Sequence, residues 1–180
     1  MHYDSTSNSL YISDYSNYRV MRYIVGASSG SMVAGTGVYG TNMAQLTSPV
    51  GIYFDSLTNS LIISNHIAHN IVRWPLGALR WTLLAGNLNG TSGANSTFLR
   101  YPTRLTLDPM GNLYVADRDN HRIQLFMNGQ FEGITIAGIT NINGSNATLL
   151  SAPWSVTLDS QLNLYVADSN NHRVQKFLRY

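Results

Sequence analysis

The chain has no cysteine among its 180 residues, which excludes disulfides and thiolate-bound zinc and leaves the redox compartment undetermined. Charge is scarce. Asp, Glu, Lys and Arg make up 11 % of the residues, and the net charge is +2 with a single lysine, Lys176. Such a balance does not by itself point to nucleic acid. No run of about 18 apolar residues is present, so no helical membrane span is expected. The opening MHYDSTSNSLYISD lacks the basic start and apolar core of a signal peptide. Sustained helical periodicity is missing as well.

What the chain has instead is repetition. LYVADRDNHRIQLF from Leu113 returns as LYVADSNNHRVQKF from Leu164, and weaker copies begin at Leu10 (LYISDYSNYRVMRY) and Leu61 (LIISNHIAHNIVRW). The steps between the four leucines are 51, 52 and 51 residues, a period that signals a propeller, a solenoid or another array. Pro49, Pro102 and Pro153 open units, Asp55, Asp108 and Asp159 follow six residues later, and Ala34-Gly35, Ala85-Gly86 and Ala137-Gly138 close them. Units of about 1–35, 49–86, 102–138 and 153–180 follow, all within one domain of residues 1–180.

Each unit reads as strands and turns. Runs such as RLTLD, LYVAD, RIQLF and ITIAG are short, rich in β-branched and aromatic residues, and bounded by Asp, Asn, Gly or Pro. The LYVA runs are apolar on both faces, as expected of a sheet covered on both sides. Stacked four-stranded antiparallel blades provide that cover, so an all-β propeller is expected; a β-helix, with its shorter repeat, is the second choice.

The pattern Pro-x-Gly-apolar-x-apolar-Asp, a short turn, LYVAD, a four-residue link and HR before an apolar strand resembles the NHL repeat. It is carried by Pro102 to Phe126 and Pro153 to Phe177, more loosely by Pro49 to Trp74, and partly by Asp4 to Tyr23. The resemblance implies a propeller, commonly six-bladed, that mostly binds proteins or nucleic acid and has occasional enzyme relatives. With the strands of a unit lettered a to d, the first copy shows b, c and d, the next two all four, and the last a, b and c. An incomplete ring of about 3.5–4 blades results. Part of a longer propeller, or a truncated product, is the expectation, with a pair of copies forming a ring of about seven blades as the alternative.

Differences between copies locate candidate residues. Asp14, Asp117 and Asp168 each precede an Arg by five residues, at Arg19, Arg122 and Arg173, and in the second copy both become Asn, at Asn65 and Asn70. Joint loss suggests that the charges meet across the b–c turn as a clamp. The recurrence of His121 and His172 beside these Asp residues favours a structural role over an acid–base pair, so no catalytic residue is assigned. His66 and His69 are read as turn histidines facing solvent, with no third ligand to complete a metal site.

The strand-a positions Val50, Gly51, Thr103, Arg104, Trp154 and Ser155 face the channel. The resemblance to amidating lyases, which hold metal with channel histidines, would require histidine there, and none is present, so no metal or cofactor is expected. Val50, Thr103, Arg104, Trp154 and Ser155 are the candidate binding face, since Trp and Arg suit protein anchors. The loops Thr36–Ser48, Asn87–Tyr101 and Ile139–Ala152 form the other variable surface. They carry glycosylation sequons at Asn89, Asn95, Asn143 and Asn146, although about three sequons are expected by chance at this composition. The sequons permit, without requiring, an extracellular glycoprotein. The leading functional expectation is a non-enzymatic scaffold that binds a protein partner. An enzyme-related propeller of the amidating-lyase or lactonase type and an RNA-binding NHL domain are the alternatives.

Overall fold

The computed structural model describes residues 1–178; the last two residues of the fourth unit lie outside them. Four antiparallel sheets follow one another along the chain. The first contains β1 (His2–Asp4), β2 (Ser9–Asp14), β3 (Arg19–Ile24) and β4 (Ser31–Gly35). The second contains β5 (Pro49–Asp55), β6 (Ser60–Asn65), β7 (Asn70–Pro75) and β8 (Thr82–Gly86). The third contains β9 (Pro102–Leu107), β10 (Leu113–Asp117), β11 (Arg122–Phe126) and β12 (Gly133–Gly138), and the fourth β13 (Pro153–Leu158), β14 (Leu164–Asp168) and β15 (Arg173–Phe177). Each sheet is a simple meander, as a blade requires.

The first blade corrects the strand accounting. Its innermost strand exists: His2, Tyr3 and Asp4 pair with Tyr11, Leu10 and Ser9. No Pro opens it and no β-branched residue marks it. It forms because Asp4 accepts from the backbone of Thr6 and Ser7 and turns the chain back on itself. Four blades stand among the described residues, against the six that the resemblance to the NHL repeat implies. Their inner strands pack in the order β1, β5, β9, β13, and no comparable packing returns from β13 to β1.

Three cores lie between successive blades. Tyr11, Val20 and Ala34 of the first blade meet Ile52, Leu61, Ile63 and Trp74 of the second. The second and third join through Ile62 and Ile71 against Leu105, Leu113 and Phe126, and the third and fourth through Ala116 and Ile123 against Val156, Leu164 and Val166. Apolar residues on both faces of the two middle b strands, β6 and β10, the feature that marked a covered sheet, serve two different cores.

Each core also takes one leucine from the loop that crosses from blade to blade. Leu46, Leu99 and Leu150 are wholly buried, each three residues ahead of the proline that opens the next unit. The loops therefore are not merely variable surface. Leu99→Ala is expected to cost about 2–5 kcal/mol through the lost burial and the cavity left behind. Leu88→Ala, at an exposed position of the same loop, should stay within about 0.5 kcal/mol. Urea unfolding midpoints of the two variants check the contrast.

Candidate functional site

At one end of the second, third and fourth blades the b–c turn, the start of strand a and the incoming loop converge. The turn is a single 3-10 turn, at Tyr15–Asn17, His66–Ala68, Arg118–Asn120 and Ser169–Asn171, closed by a left-handed residue, Tyr18, His69, His121 or His172. That conformation brings the last residue of b opposite the first of c, and Asp14, Asp117 and Asp168 pair in register with Arg19, Arg122 and Arg173. In all three, Arg Nε lies 2.8 Å from the Asp carboxylate.

The carboxylate and guanidinium do more than bridge the turn. Asp117 Oδ1 accepts from the Arg100 amide and Asp168 Oδ1 from the Ser151 amide, so each aspartate also anchors the incoming loop. Arg122 donates onward to the carbonyls of Ala94, Asn95 and Phe98 and to Thr140 Oγ1, and Arg173 to those of Ser145, Asn146 and Leu149. Burial pushes the Asp117 carboxyl up to about 6 in spite of Arg122. The hydrogen bond from Arg19 holds the more exposed Asp14 below the usual carboxylate range. A buried pair of the first kind fixes geometry more than it adds net stability.

The second blade shows what the Asn exchange retains. Asn65 Oδ1 still accepts from the Thr47 amide and hydroxyl, but Asn70 is too short to reach that loop and donates to Asn87 O instead. Trp81 supplies the missing hold. Its backbone amide donates to Met43 O at 2.9 Å and its indole Nε1 to Gln45 O at 2.8 Å, while the ring is buried in the first core. Gly133 occupies the Trp81 position in the third blade and repeats the backbone bond, to Ser96 O. A Cβ there would strike the Phe126 ring at 2.8 Å, so the indole solution is confined to one blade.

The histidines are structural latches. His69 and His121 hold the same turn position, and their Nδ1 atoms accept from the amides of Tyr101 and Ala152, the residues just ahead of Pro102 and Pro153. His66 Nδ1 donates to Pro102 O at 2.9 Å. His66 and His69 are both buried, which corrects the expectation that they face solvent, and desolvation lowers the pKa of each, favouring at His69 the neutral form that an accepting Nδ1 needs. Among the described residues no group of three His, Cys, Asp or Glu side chains is placed to hold a metal.

The strand-a candidates divide. Thr103 is wholly buried and its Oγ1 donates to Trp154 O at 2.7 Å, so it joins two blades rather than lining a surface. The same link is made by Ser13 to Val50 O and Ser64 to Pro102 O in the earlier blades; where Ala116 replaces that serine, Thr103 takes over from the neighbouring strand. Gly51 is required by packing, since a Cβ would sit 2.3 Å from Thr103 O. Val50, Arg104 and Ser155 are half-buried, and Arg104 donates to Met1 O at 3.4 Å.

Trp154 is different: it is 42 % exposed, with the Arg118 guanidinium 5.7 Å from its ring centre. On the same end of the blades, Tyr15, His66 and Tyr101 form a run of ring contacts, with centroids 6.5 and 5.2 Å apart. Sequence reading singles out Trp154 and does not name Arg118 or Tyr15. Both open a 3-10 turn, one step past the repeating Asp.

The sequon asparagines Asn89, Asn95, Asn143 and Asn146 are all exposed. Asn95 and Asn146 share a turn: each Oδ1 accepts from the amide and hydroxyl of the Thr two residues on, Thr97 or Thr148, and from the next amide. Their Asn-x-Thr sequence thus has a conformational cause.

The family model for the NHL repeat matches residues 99–126 and 150–177. No curated protein sequence matches the chain. Among solved structures, a structural genomics protein of unknown function from Bacteroides thetaiotaomicron superposes with a TM-score of 0.78 at 15 % identity, over 98 % of this chain and 46 % of its own. An auxiliary nutrient binding protein from the same species gives 0.71 at 17 %, over 94 % and 45 %. Virginiamycin B lyase from Staphylococcus aureus gives 0.59 at 13 %, over 95 % and 52 %. The chain spans about half the length of these structures. Two units of the chain match the NHL repeat, and they stand within four successive β-propeller blades built to one plan.

Proposed function

We propose that the chain is a protein-binding scaffold whose contact surface is the turn end of the blades, centred on Trp154 and Arg118 and extended by Tyr15. The observation that carries this reading is Trp154: a large aromatic left 42 % exposed, with an arginine over its ring, on a frame whose turns and loops are pinned from both sides. Tyr, Trp and Arg are the residues that dominate protein interfaces. A rigid frame also lowers the entropy lost on binding.

The alternatives find less support. An RNA-binding face would need free cations, and Arg19, Arg122 and Arg173 are turned inward onto aspartates. The enzyme-related reading rests on the fold shared with a lyase, and a shared fold does not carry a reaction.

Trp154→Ala is expected to weaken a partner's binding by about thirtyfold or more, the effect of a hot spot of about 2 kcal/mol. Proteins crosslinked to the wild-type chain and to this variant are compared by quantitative mass spectrometry, with unfolding midpoints as the control. Partners lost from the variant at unchanged stability support the reading. Equal recovery on both, or recovery of RNA alone with steep salt dependence, overturns it.

A further inference from the structure

At the end of the blades opposite Trp154, where the a–b turns stand, one arginine faces the junction of the second and third blades. Ile71 packs into the second core, and Arg73, two residues along the same strand, points to the same side. The blades differ at this position. Three residues on from Arg19, Asn70 and Arg122 stand Arg22, Arg73 and Leu125. Arg22 Nε donates to Ser9 Oγ at 3.0 Å, and its guanidinium lies 6.0 Å from the centre of the Tyr11 ring. Ser60 holds the place of Ser9 in the second blade, yet Arg73 Nε is buried without a hydrogen-bond partner. Its ion pair with Asp55, Nη2 to Oδ2, is 3.8 Å long, beyond hydrogen-bond reach.

Arg73 stands between two spaces. On one side is a cavity of about 60 Å³ walled by Leu84, Leu107, Leu113 and Phe126. On the other is a cleft of about 360 Å³ lined by Asp55, Thr58, Asp108 and Asn128. The cavity has room for a branched group of a few carbons and not for an aromatic ring, which fills a cavity of about 150 Å³. The two carboxylates of the cleft differ. Asp108 is saturated, with Oδ1 accepting from the amides of Met110 and Asn112 and Oδ2 from Asn112 Nδ2 and the Tyr114 hydroxyl. Asp55 accepts from the Leu57 amide and the Thr58 hydroxyl, one on each oxygen, so each oxygen keeps an acceptor position. Two carboxylates against one guanidinium disfavour a ligand that is only an anion. An unpartnered guanidinium disfavours one that is only a cation.

We propose that this junction binds a free α-amino acid with a short aliphatic side chain, of the size of leucine. Its carboxylate takes the Arg73 guanidinium, its ammonium takes Asp55, and its side chain fills the cavity against Leu84, Leu107 and Phe126. An α-amino acid carries both charges on one carbon, a spacing that suits an arginine and an aspartate 3.8 Å apart. The charged hydrogen bonds it makes are stronger than neutral ones, and they use donors and acceptors that the second blade leaves open. Every residue of the site lies between positions 53 and 131, in two four-stranded blades. The proposal does not rest on the Trp154 face.

The test titrates the full chain with leucine and follows proton–nitrogen NMR spectra, in which the Arg73 Nε–H is itself a probe. Saturable shifts are expected at that resonance and at the amides of residues 111 and 128–131, with a Kd of about 0.1–1 mM for so small a ligand. Alanine leaves the cavity unfilled, isocaproate lacks the ammonium and isopentylamine lacks the carboxylate, so each should bind at least about tenfold more weakly. Tryptophan should be excluded by size. Arg73→Met, which keeps the apolar stem, and Asp55→Asn should each weaken leucine binding about tenfold or more. The ligand series uses the wild-type chain and so decides the matter even where a variant unfolds. Absence of saturable shifts, equal binding of isocaproate or isopentylamine, tryptophan binding as tight as leucine, or a folded Arg73→Met chain that binds leucine like the wild type overturns the proposal.

Discussion

Arg122→Asn is expected to destabilise the chain by about 3–5 kcal/mol, and Asp117→Asn by a similar amount, with the double variant falling short of their sum by about 1–3 kcal/mol. Both side chains are almost inaccessible, at 3 % and 0 %. Removing either leaves the other's charge buried without its partner, and that uncompensated charge dominates each single loss. The double change removes both charges at once. It also reproduces the Asn65 and Asn70 pair, which holds the same register in the second blade. An asparagine at 117 keeps an oxygen for the Arg100 amide, as Asn65 does for Thr47. Full recovery is not expected, because Arg122 also holds Ala94, Asn95 and Phe98, and Gly133 cannot supply an indole to replace it. Urea unfolding of the four proteins measures the cycle, and simple additivity would show that the two charges are not coupled.

Trp81→Ala should cost a comparable amount, about 3–5 kcal/mol, by emptying a large buried volume between the first two blades. Its distinctive consequence is local. The loop of residues 36–48 has no arginine from the second blade, and the indole bond to Gln45 O stands in for one. Trp81→Phe keeps most of the ring and loses that bond, which should cost about 1 kcal/mol. In hydrogen exchange the same variant should open residues 36–48 well before residues 87–101, where Arg122 remains. If Trp81→Ala lowers overall stability while exchange in residues 36–48 stays as slow as in the other loops, the indole is filling space and not holding the loop.

Much of the blade plan was legible because it is local. Antiparallel strands joined by short turns leave their period in the chain, and the repeat of Pro, Asp and Ala-Gly marks the same three corners each time. The spacing of five between Asp117 and Arg122 placed them together because one 3-10 turn and a left-handed residue span that distance. The first inner strand escaped because His2-Tyr3-Asp4 carries no propensity of its own and forms by pairing with β2. His66 and His69 were misjudged for another reason. A turn residue is ordinarily wet, and here the neighbouring blade's residues Tyr101 and Pro102 cover His69 and His66.

The candidate surface divides along the same line. Trp154 and Thr103 stand at the same point of the repeat, one residue after Pro153 and Pro102, yet one is exposed and the other wholly buried, because Thr103 packs against the next blade's inner strand and bonds Trp154 O, whereas Trp154 has Arg118 against its ring. By itself the sequence determined the strand order, the blade as the repeating unit, and the residues that meet across each turn, since those depend on contacts a few residues apart. Only the tertiary structure decided which loop leucines plug the cores and which histidines latch neighbouring blades. Those outcomes rest on one blade packing against the next, where distance in space no longer follows distance along the chain.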